Sequence, residues 1–378
     1  MEPGELAIDP DIRRARTPPR ELYGDARWFE AQRERVWRRG WSLVGHAGEL
    51  AAPLARRPLV LLPGLLDEPV LLTRDAGGRL HALANACTHR GMLVCEEAPA
   101  GPAPAPAPAD VLRCRYHGRR FALDGRFLSM PNFEDAVDFP TAADDLPRLP
   151  LGEWRGFLFV SPRPAMPFTE LVAELDAATA WLPVERAVFD PARSRDYEVQ
   201  AHWALYLDNF LEGFHVGFVH PSLAPALDLA DYTHHLHRWS SVQVAAAPAG
   251  AREDELLVPP PGAPHAGRRV AGYFFWLAPG TMVNVYPWGL SLNLVQPLTP
   301  DRTRIAFRTW VWDERRLGRG AGADLHQVEL EDEAVVQAVQ RGLRSSAWTR
   351  GRYAPRHEVC VHHFHRLLAS LLADPPRA

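Results

Sequence analysis

The chain has 378 residues, 47% of them hydrophobic, and a formal net charge of −4 from 42 basic and 46 acidic side chains. That length supports two or three domains with buried cores, and the absence of a long block of either sign argues against nucleic acid and anionic lipid as partners. No lysine occurs, so Schiff-base catalysis by lysine and a Walker-type phosphate-binding lysine are excluded.

The N-terminal "MEPGELAIDP" has no apolar stretch. The most hydrophobic runs farther on are broken by Pro, Gly, Asn or acids before the roughly 20 residues that a membrane span needs. The expectation is a cytoplasmic protein with no membrane segment. Residues 1–40 contain one amphipathic piece, "ARWFEAQRERVWRRG", which is expected to be helical and to pack on the last domain.

Residues 41–162 read as a small antiparallel β domain: short apolar runs such as "WSLVGH", "PLVLLPG", "RRFALDGRF" and "EWRGFLFVS" are separated by Gly, Pro and Asp. Within it lie "CTHRG" and "CRYHG". Cys87 with His89 and Cys114 with His117 form two loop tips, each followed by a turn-forming glycine, Gly91 or Gly118. Four cysteines in a chain of this size do not make a secreted disulfide framework, so a metal site is the better reading; Cys95 and Cys360 are expected to be free thiols. Two Cys and two His divided evenly over two loops suit a [2Fe–2S] cluster with His on one iron, and structural zinc stays open. Classical zinc fingers group their cysteines and their histidines instead.

These two loops resemble the cluster loops of the Rieske proteins, and Arg90 and Tyr116 resemble the oxygenase branch. Two departures stand out. Between His89 and Cys114 lie 24 residues, more than the family usually has, and Arg119 and Arg120 follow Gly118 where the family commonly shows Trp. The extra length is an Ala-Pro run. Loop-closure entropy grows only as the logarithm of loop length, so such a spacer is expected to be harmless if it points outward.

From residue 163 to 378 helical periodicity appears ("FTELVAELDAATAWL", "HWALYLDNFLEGFHVGFVH"), then strands ("GYFFWLA", "TMVNVYPW", "LSLNLVQPL", "TRIAFRTWVWD"), then two closing helices. The order predicts an α+β domain with an antiparallel sheet. His215 and His220 are spaced H-x-x-x-x-H. On a continuous helix Asp208, Glu212 and His215 share a stripe, whereas His220 falls about 140° away, so the helix must bulge or end between the histidines; Gly217 and Pro221 allow it. Taken alone the pair is weak evidence, since two histidines on an aromatic-rich helix are more often structural than metal-binding. A carboxylate would complete a two-His-one-carboxylate iron(II) site. In "VELEDEAVVQAVQRGL" Asp332 shares its stripe with Val335, Val336, Val339 and Leu343, while Glu331 and Glu333 point about 100° to either side. An acid on a buried stripe needs a partner, although an acid favoured by the helix dipole is the plainer alternative.

"DNFLEGFHVGFVHP" following a Rieske motif resembles the catalytic helix of Rieske non-haem iron oxygenase α subunits. "EDEAVVQAVQRGL" and "GRYAPRHEVCVHHFH" are similar to the branch with choline and carnitine-type monooxygenases. The resemblance implies a helix-grip, START-like catalytic domain, its curved antiparallel sheet set around a long helix, beside the β Rieske domain. It implies that Cys87, His89, Cys114 and His117 bind the [2Fe–2S] cluster, and that His215, His220 and Asp332 bind mononuclear Fe(II). Glu212 becomes the carboxylate that links the two centres, bonding His215 in its own subunit and His117 of the partner subunit in a head-to-tail homotrimer, and Asn209 becomes the amide near the iron. The implied reaction uses O₂ to hydroxylate or oxidatively demethylate a small substrate such as a quaternary ammonium. A ring-hydroxylating or natural-product-tailoring oxygenase is the alternative. No convincing G-x-G-x-x-G follows a strand, so NAD(P)H is expected to act through a separate reductase, with or without a ferredoxin. Phe275, Asn284, Tyr286, Trp288 and Asn293 are candidate pocket residues, although aromatics of that kind are more often ordinary core. The histidines of "HHLH" and "VHHFH" are expected to be structural. Readings of other classes are an electron carrier without a mononuclear iron and a zinc-stabilised binding protein.

Overall fold

A computed structural model describes residues 2–96 and 110–373; the Ala-Pro run lies outside them. The chain divides into two compact units, Trp41–Pro164, and Met1–Gly40 together with Ala165–Ala378.

Among the described residues the unit Trp41–Pro164 contains three small antiparallel sheets. One joins Ser42–His46, Phe157–Val160 and Leu151–Trp154, a second joins Arg56–Leu61, Glu68–Arg74, Leu80–Ala84 and Arg148–Leu149, and the third is Val111–Arg113, Arg120–Ala122 and Phe127–Ser129. Helix is limited to single 3₁₀ turns among the described residues, Ala47–Leu50 and Ala142–Asp144. Leu71, Leu83, Leu112, Phe121, Leu123 and Leu146 close its core, and Cys87 and Cys114 belong to the same buried cluster. Each such apolar side chain contributes about 1.5–3 kcal/mol over leaving it in water. The loop tips therefore rise from a rigid base.

In the second unit seven strands form one antiparallel sheet: Val188–Val199, Asp228–Leu236, Ser240–Ala246, Val270–Leu277, Thr281–Tyr286, Gly289–Thr299 and Arg302–Val311. The last six are consecutive neighbours and the first pairs with the last. From Val270 to Val295 nearly every strand residue is buried, which is why this stretch reads as continuous apolar runs. The polar strands Val188–Val199 and Asp228–Leu236, exposed or half-buried along nearly their whole length, carry no such signal.

Six helices among the described residues accompany the sheet: α1 (Ala26–Gln32), α2 (Phe168–Thr179), α3 (Trp203–Phe210), α4 (Val216–Val219), α5 (Leu325–Gly342) and α6 (Val359–Ala373). The amphipathic N-terminal piece is α1 followed by a wider helical turn, Arg33–Trp37. Its buried face meets α3, with Trp37 edge-on to Trp203 at 5.0 Å between ring centroids and Gln32 Oε1 accepting from Trp203 Nε1–H at 2.5 Å. On α6, His365 bonds Asp208 (2.8 Å) and the Tyr353 hydroxyl (2.7 Å), and His362 bonds the Asp9 carbonyl (2.8 Å). These histidines tie the termini to the domain.

Candidate metal centres and cavity

The two cysteine-histidine loops are built by one backbone device. Cys87 N–H donates to Met92 O (2.8 Å) and Gly91 N–H to Cys87 O (2.8 Å); Cys114 N–H donates to Arg119 O (2.9 Å) and Gly118 N–H to Cys114 O (3.1 Å). Each turn closes through a glycine at φ +71° or +78°, a conformation that costs an L-residue roughly 1–2 kcal/mol. Cys87 and Cys114 are buried free thiols, and the His89 and His117 rings lie 4.8 Å apart. His117 Nδ1 is a buried nitrogen without a hydrogen-bond partner. Burial, followed by the charges of His117, Arg90 and Arg119, holds the His89 imidazole below its ordinary pKa, which keeps a lone pair free. Two thiols and two imidazoles so placed fit a [2Fe–2S] cluster with His on one iron.

The departure at Arg119 has a structural explanation. Its guanidinium is 2% exposed and lies 4.9–5.7 Å from the ring centres of Phe121, Phe127 and Phe139, so a planar cation fills an aromatic site. Its charge is met by Asp144 Oδ1 at 2.6 Å. The Asp144 carbonyl also accepts from Thr88 Oγ1–H (2.7 Å) and Arg119 (3.1 Å), which anchors both loops to one turn.

The second group forms where a helix stops. The sequence periodicity places Asp208, Glu212 and His215 on one continuous stripe, but α3 ends at Phe210, whose carbonyl accepts from Gln243 Nε2–H (2.7 Å). Gly213 then passes so close to Tyr232 that a Cβ would sit 2.7 Å from its ring. The break thus precedes His215. His215 and His220 flank the single turn of α4, and Asp208 faces Tyr23 and His365 instead. Glu212 starts the new turn: its Oε2 accepts the N–H groups of Phe214 and His215 (3.0 Å to the latter), and its Oε1 lies 2.6 Å from His215 Nδ1.

Asp332 comes from the middle of α5. Its Oδ1 lies 3.0 Å from His220 Nε2, 3.6 Å from His215 Nε2 and 2.6 Å from Asn209 Nδ2. The donor atoms of His215, His220 and Asp332 all lie within 4.8 Å of one another. Glu331 does not point aside. Its Oε2 lies 2.7 Å from His220 Nδ1, because His220 sits at the end of α4 with φ −114° and ψ 81° and turns its ring across the helix. Both imidazoles therefore give Nδ1 to a carboxylate and present Nε2 to Asp332, the arrangement that fixes a metal-binding tautomer. Burial alone would lower the His220 pKa, but Asp332 and Glu331 outweigh it and hold it above its ordinary value. Two imidazole Nε2 atoms and one carboxylate oxygen so placed fit an iron(II) site with open positions.

A second rung lies one helical turn away. Tyr206 and Asn209 on α3 meet Glu329 and Asp332 on α5, both pairs three residues apart, and the Tyr206 hydroxyl donates to Glu329 Oε2 at 2.5 Å. Val339, placed by periodicity on the Asp332 stripe, is 43% exposed; the buried side runs instead through Glu329, Val336 and Gln340. Sequence reasoning missed Glu329, Glu331 and Tyr206. Extending the Asp332 stripe three residues towards the N-terminus would have found Glu329.

A cavity of about 90 Å³ opens beside this group, room for a small molecule. Asn284, Tyr286 and Asn293 line it as expected, whereas Phe275 and Trp288 do not. Phe274 takes the place of Phe275: strand residues alternate in direction, and Phe274 is the register partner of Asn284. Trp288 packs behind Tyr286, stacked at 5.2 Å.

Two family models match the chain: the Rieske [2Fe–2S] domain over residues 40–142 and the ring hydroxylating alpha subunit catalytic domain over 187–374. Choline monooxygenase, chloroplastic, of Arabidopsis thaliana is 27% identical across 96% of this chain and 84% of its own length. The carnitine monooxygenase oxygenase subunit of Escherichia coli K12 is 26% identical across 95% and 94%. The solved structure of a quaternary ammonium Rieske monooxygenase, described for carnitine oxidation and inter-subunit electron transfer, covers 97% of this chain and 100% of its own with a TM-score of 0.70 at 22% identity. No helix among the described residues is long and apolar enough to cross a membrane.

Proposed function

This chain belongs to the Rieske-type ring-hydroxylating α subunits, a family of non-haem iron oxygenases, and on that premise we propose that it oxidises a small methylammonium compound. Cys87, His89, Cys114 and His117 would hold the [2Fe–2S] cluster, and His215, His220 and Asp332 the mononuclear iron. Bound there, the two centres supply single-electron transfer and reductive activation of O₂. The chain's own residues position and enclose. Asn209 holds Asp332 Oδ1, Glu331 and Glu212 hold the two imidazoles through Nδ1, and Tyr232, Phe274 and Tyr286 give the cavity an aromatic wall. Such faces attract a cation by about 0.5–2 kcal/mol each, and the relatives named above act on choline and carnitine. The chain would work as a head-to-tail homotrimer in the cytoplasm, with Glu212 reaching His117 of the partner subunit and electrons arriving from an NAD(P)H-dependent reductase, directly or through a ferredoxin.

The observation that carries this reading is the convergence of His215, His220 and Asp332 within 4.8 Å, beside a cavity. The test is iron and acid-labile sulfide per chain on anaerobically purified protein, with an electron paramagnetic resonance spectrum after reduction. Three irons to two sulfides with O₂ uptake on a methylammonium substrate under a surrogate reductase is the expected result. Two irons to two sulfides, unchanged by added iron(II), would make the protein an electron carrier. O₂ uptake on aromatic acids alone would move it to ring hydroxylation.

A further inference from the structure

The cavity beside the iron ligands is uneven in charge. Glu212, Glu329 and Asp332 line it, and no arginine does among the described residues, although all 42 basic side chains of the chain are arginine. Glu212 and Asp332 are engaged with imidazoles. Glu329 is not. It is 1% exposed, its Oε2 accepts from the Tyr206 hydroxyl, and its Oε1 is buried with no protein partner.

A buried carboxyl with an idle oxygen is costly, and an apolar side chain would pack α5 against α3 without that cost. Burial pushes the Glu329 carboxyl well above its usual range; the Tyr206 hydroxyl opposes this, and the nearby Asp332 and Glu333 add to it. A positive charge beside it reverses the balance, since an opposite charge favours the ionised form.

We propose that Glu329 is a substrate-recognition residue whose carboxyl, set in the cavity wall, favours the positive head of a methylammonium substrate, and that the cavity, with no arginine among its described lining residues, discriminates against substrates carrying a carboxylate beside that head. This rests on the reading that the cavity is the substrate site. It also separates this chain from any enzyme whose substrate is a zwitterion.

Binding to the purified holoenzyme, read by calorimetry without turnover, tests it with three probes: choline, its uncharged tert-butyl isostere, and the zwitterion glycine betaine. Choline should bind about tenfold or more tighter than either of the others, and Glu329→Gln should narrow both ratios to about threefold or less. Glu329→Asp, which keeps the charge, should preserve the preference for choline and guards against a Gln variant that fails to fold. Equal binding of choline and its isostere by the wild type, or a preference that survives Glu329→Gln in a folded variant, would overturn the proposal. Iron counting is independent of these ratios: loss of the oxygenase reading appears there as a missing third iron, and loss of the Glu329 reading appears only in the binding preferences.

Discussion

The two candidate metal centres are built by opposite means. At the cluster loops the backbone does the shaping: two glycines at positive φ and two matching pairs of main-chain hydrogen bonds set the tips, and the cysteines are anchored in a β core. At the iron group side chains do it. His215 and His220 flank a one-turn helix, Asp332 comes from another helix 112 residues beyond His220, and Glu212, Glu331 and Asn209 hold the three in register. A backbone-built site is local in sequence and tolerant of what lies between its halves. A side-chain-built site depends on every partner in turn.

The largest expected effect comes from removing a ligand in each region. His215→Ala should lower turnover about a thousandfold or more while the reduced protein keeps its Rieske-type resonance signal. Cys114→Ser should remove that signal and the colour with it. Loss of the cluster in His215→Ala, with the fold intact, would mean that the two regions are not separately built.

The next effect is smaller and confined to one region. Glu331→Gln leaves His220 Nδ1 without a carboxylate, and outer partners of this kind are worth about 10–100-fold in metal affinity. Chelator competition followed by iron analysis should show weakened retention of one iron per chain and undiminished sulfide. An unchanged affinity would leave Glu331 a surface acid that merely lies near the histidine.

Glycine substitutions set the backbone rule against the side-chain rule. Gly118 sits at φ +78°, so Gly118→Ala should cost about 1 kcal/mol or more and make the cluster easier to lose. Gly217 lies inside α4, and a Cβ there would meet only Leu229 Cδ1 at 3.5 Å. Gly217→Ala should therefore leave stability unchanged or raise it by a few tenths of a kcal/mol. Thermal melting of both variants, with cluster absorbance followed in parallel, checks the pair.

This contrast also explains how much of the molecule is readable from its sequence. The cluster ligands are two and three residues apart within loops that close on themselves, so the motif carries the geometry. At the iron group the residue types are readable but their arrangement is not. The end of α3 depends on Gln243 and Tyr232, which lie on strands outside any local window. Glu331 turns inward because His220 crosses the helix end, and periodicity taken along α5 alone assigns it outward. Phe275 for Phe274 is an error of one residue in strand register, which reverses the face. The edge strands Val188–Val199 and Asp228–Leu236 escape because their exposed residues give no apolar alternation.

A last difference lies in acid, and it falls on the side-chain-built region. His202 caps α3, the helix that carries Tyr206 and Asn209: its Nδ1 accepts Ala204 N–H at 3.2 Å, and its backbone N–H donates to Gln340 Oε1 at 2.8 Å. The ring is fully buried, and burial pushes its pKa down to about 3. In the unfolded chain the same group titrates near its ordinary value of about 6.5. Between those two values the unfolded state binds a proton that the folded state refuses, so stability rises with pH through this window and is lost as pH falls. From pH 8 to pH 5 that one group should cost about 2 kcal/mol. His202→Asn retains a capping oxygen but has no proton to take up. Its urea midpoint, whatever its value at pH 8, should fall less on acidification than that of the wild type; parallel curves for the two proteins would assign the acid sensitivity to other groups and leave the cap as a hydrogen bond only.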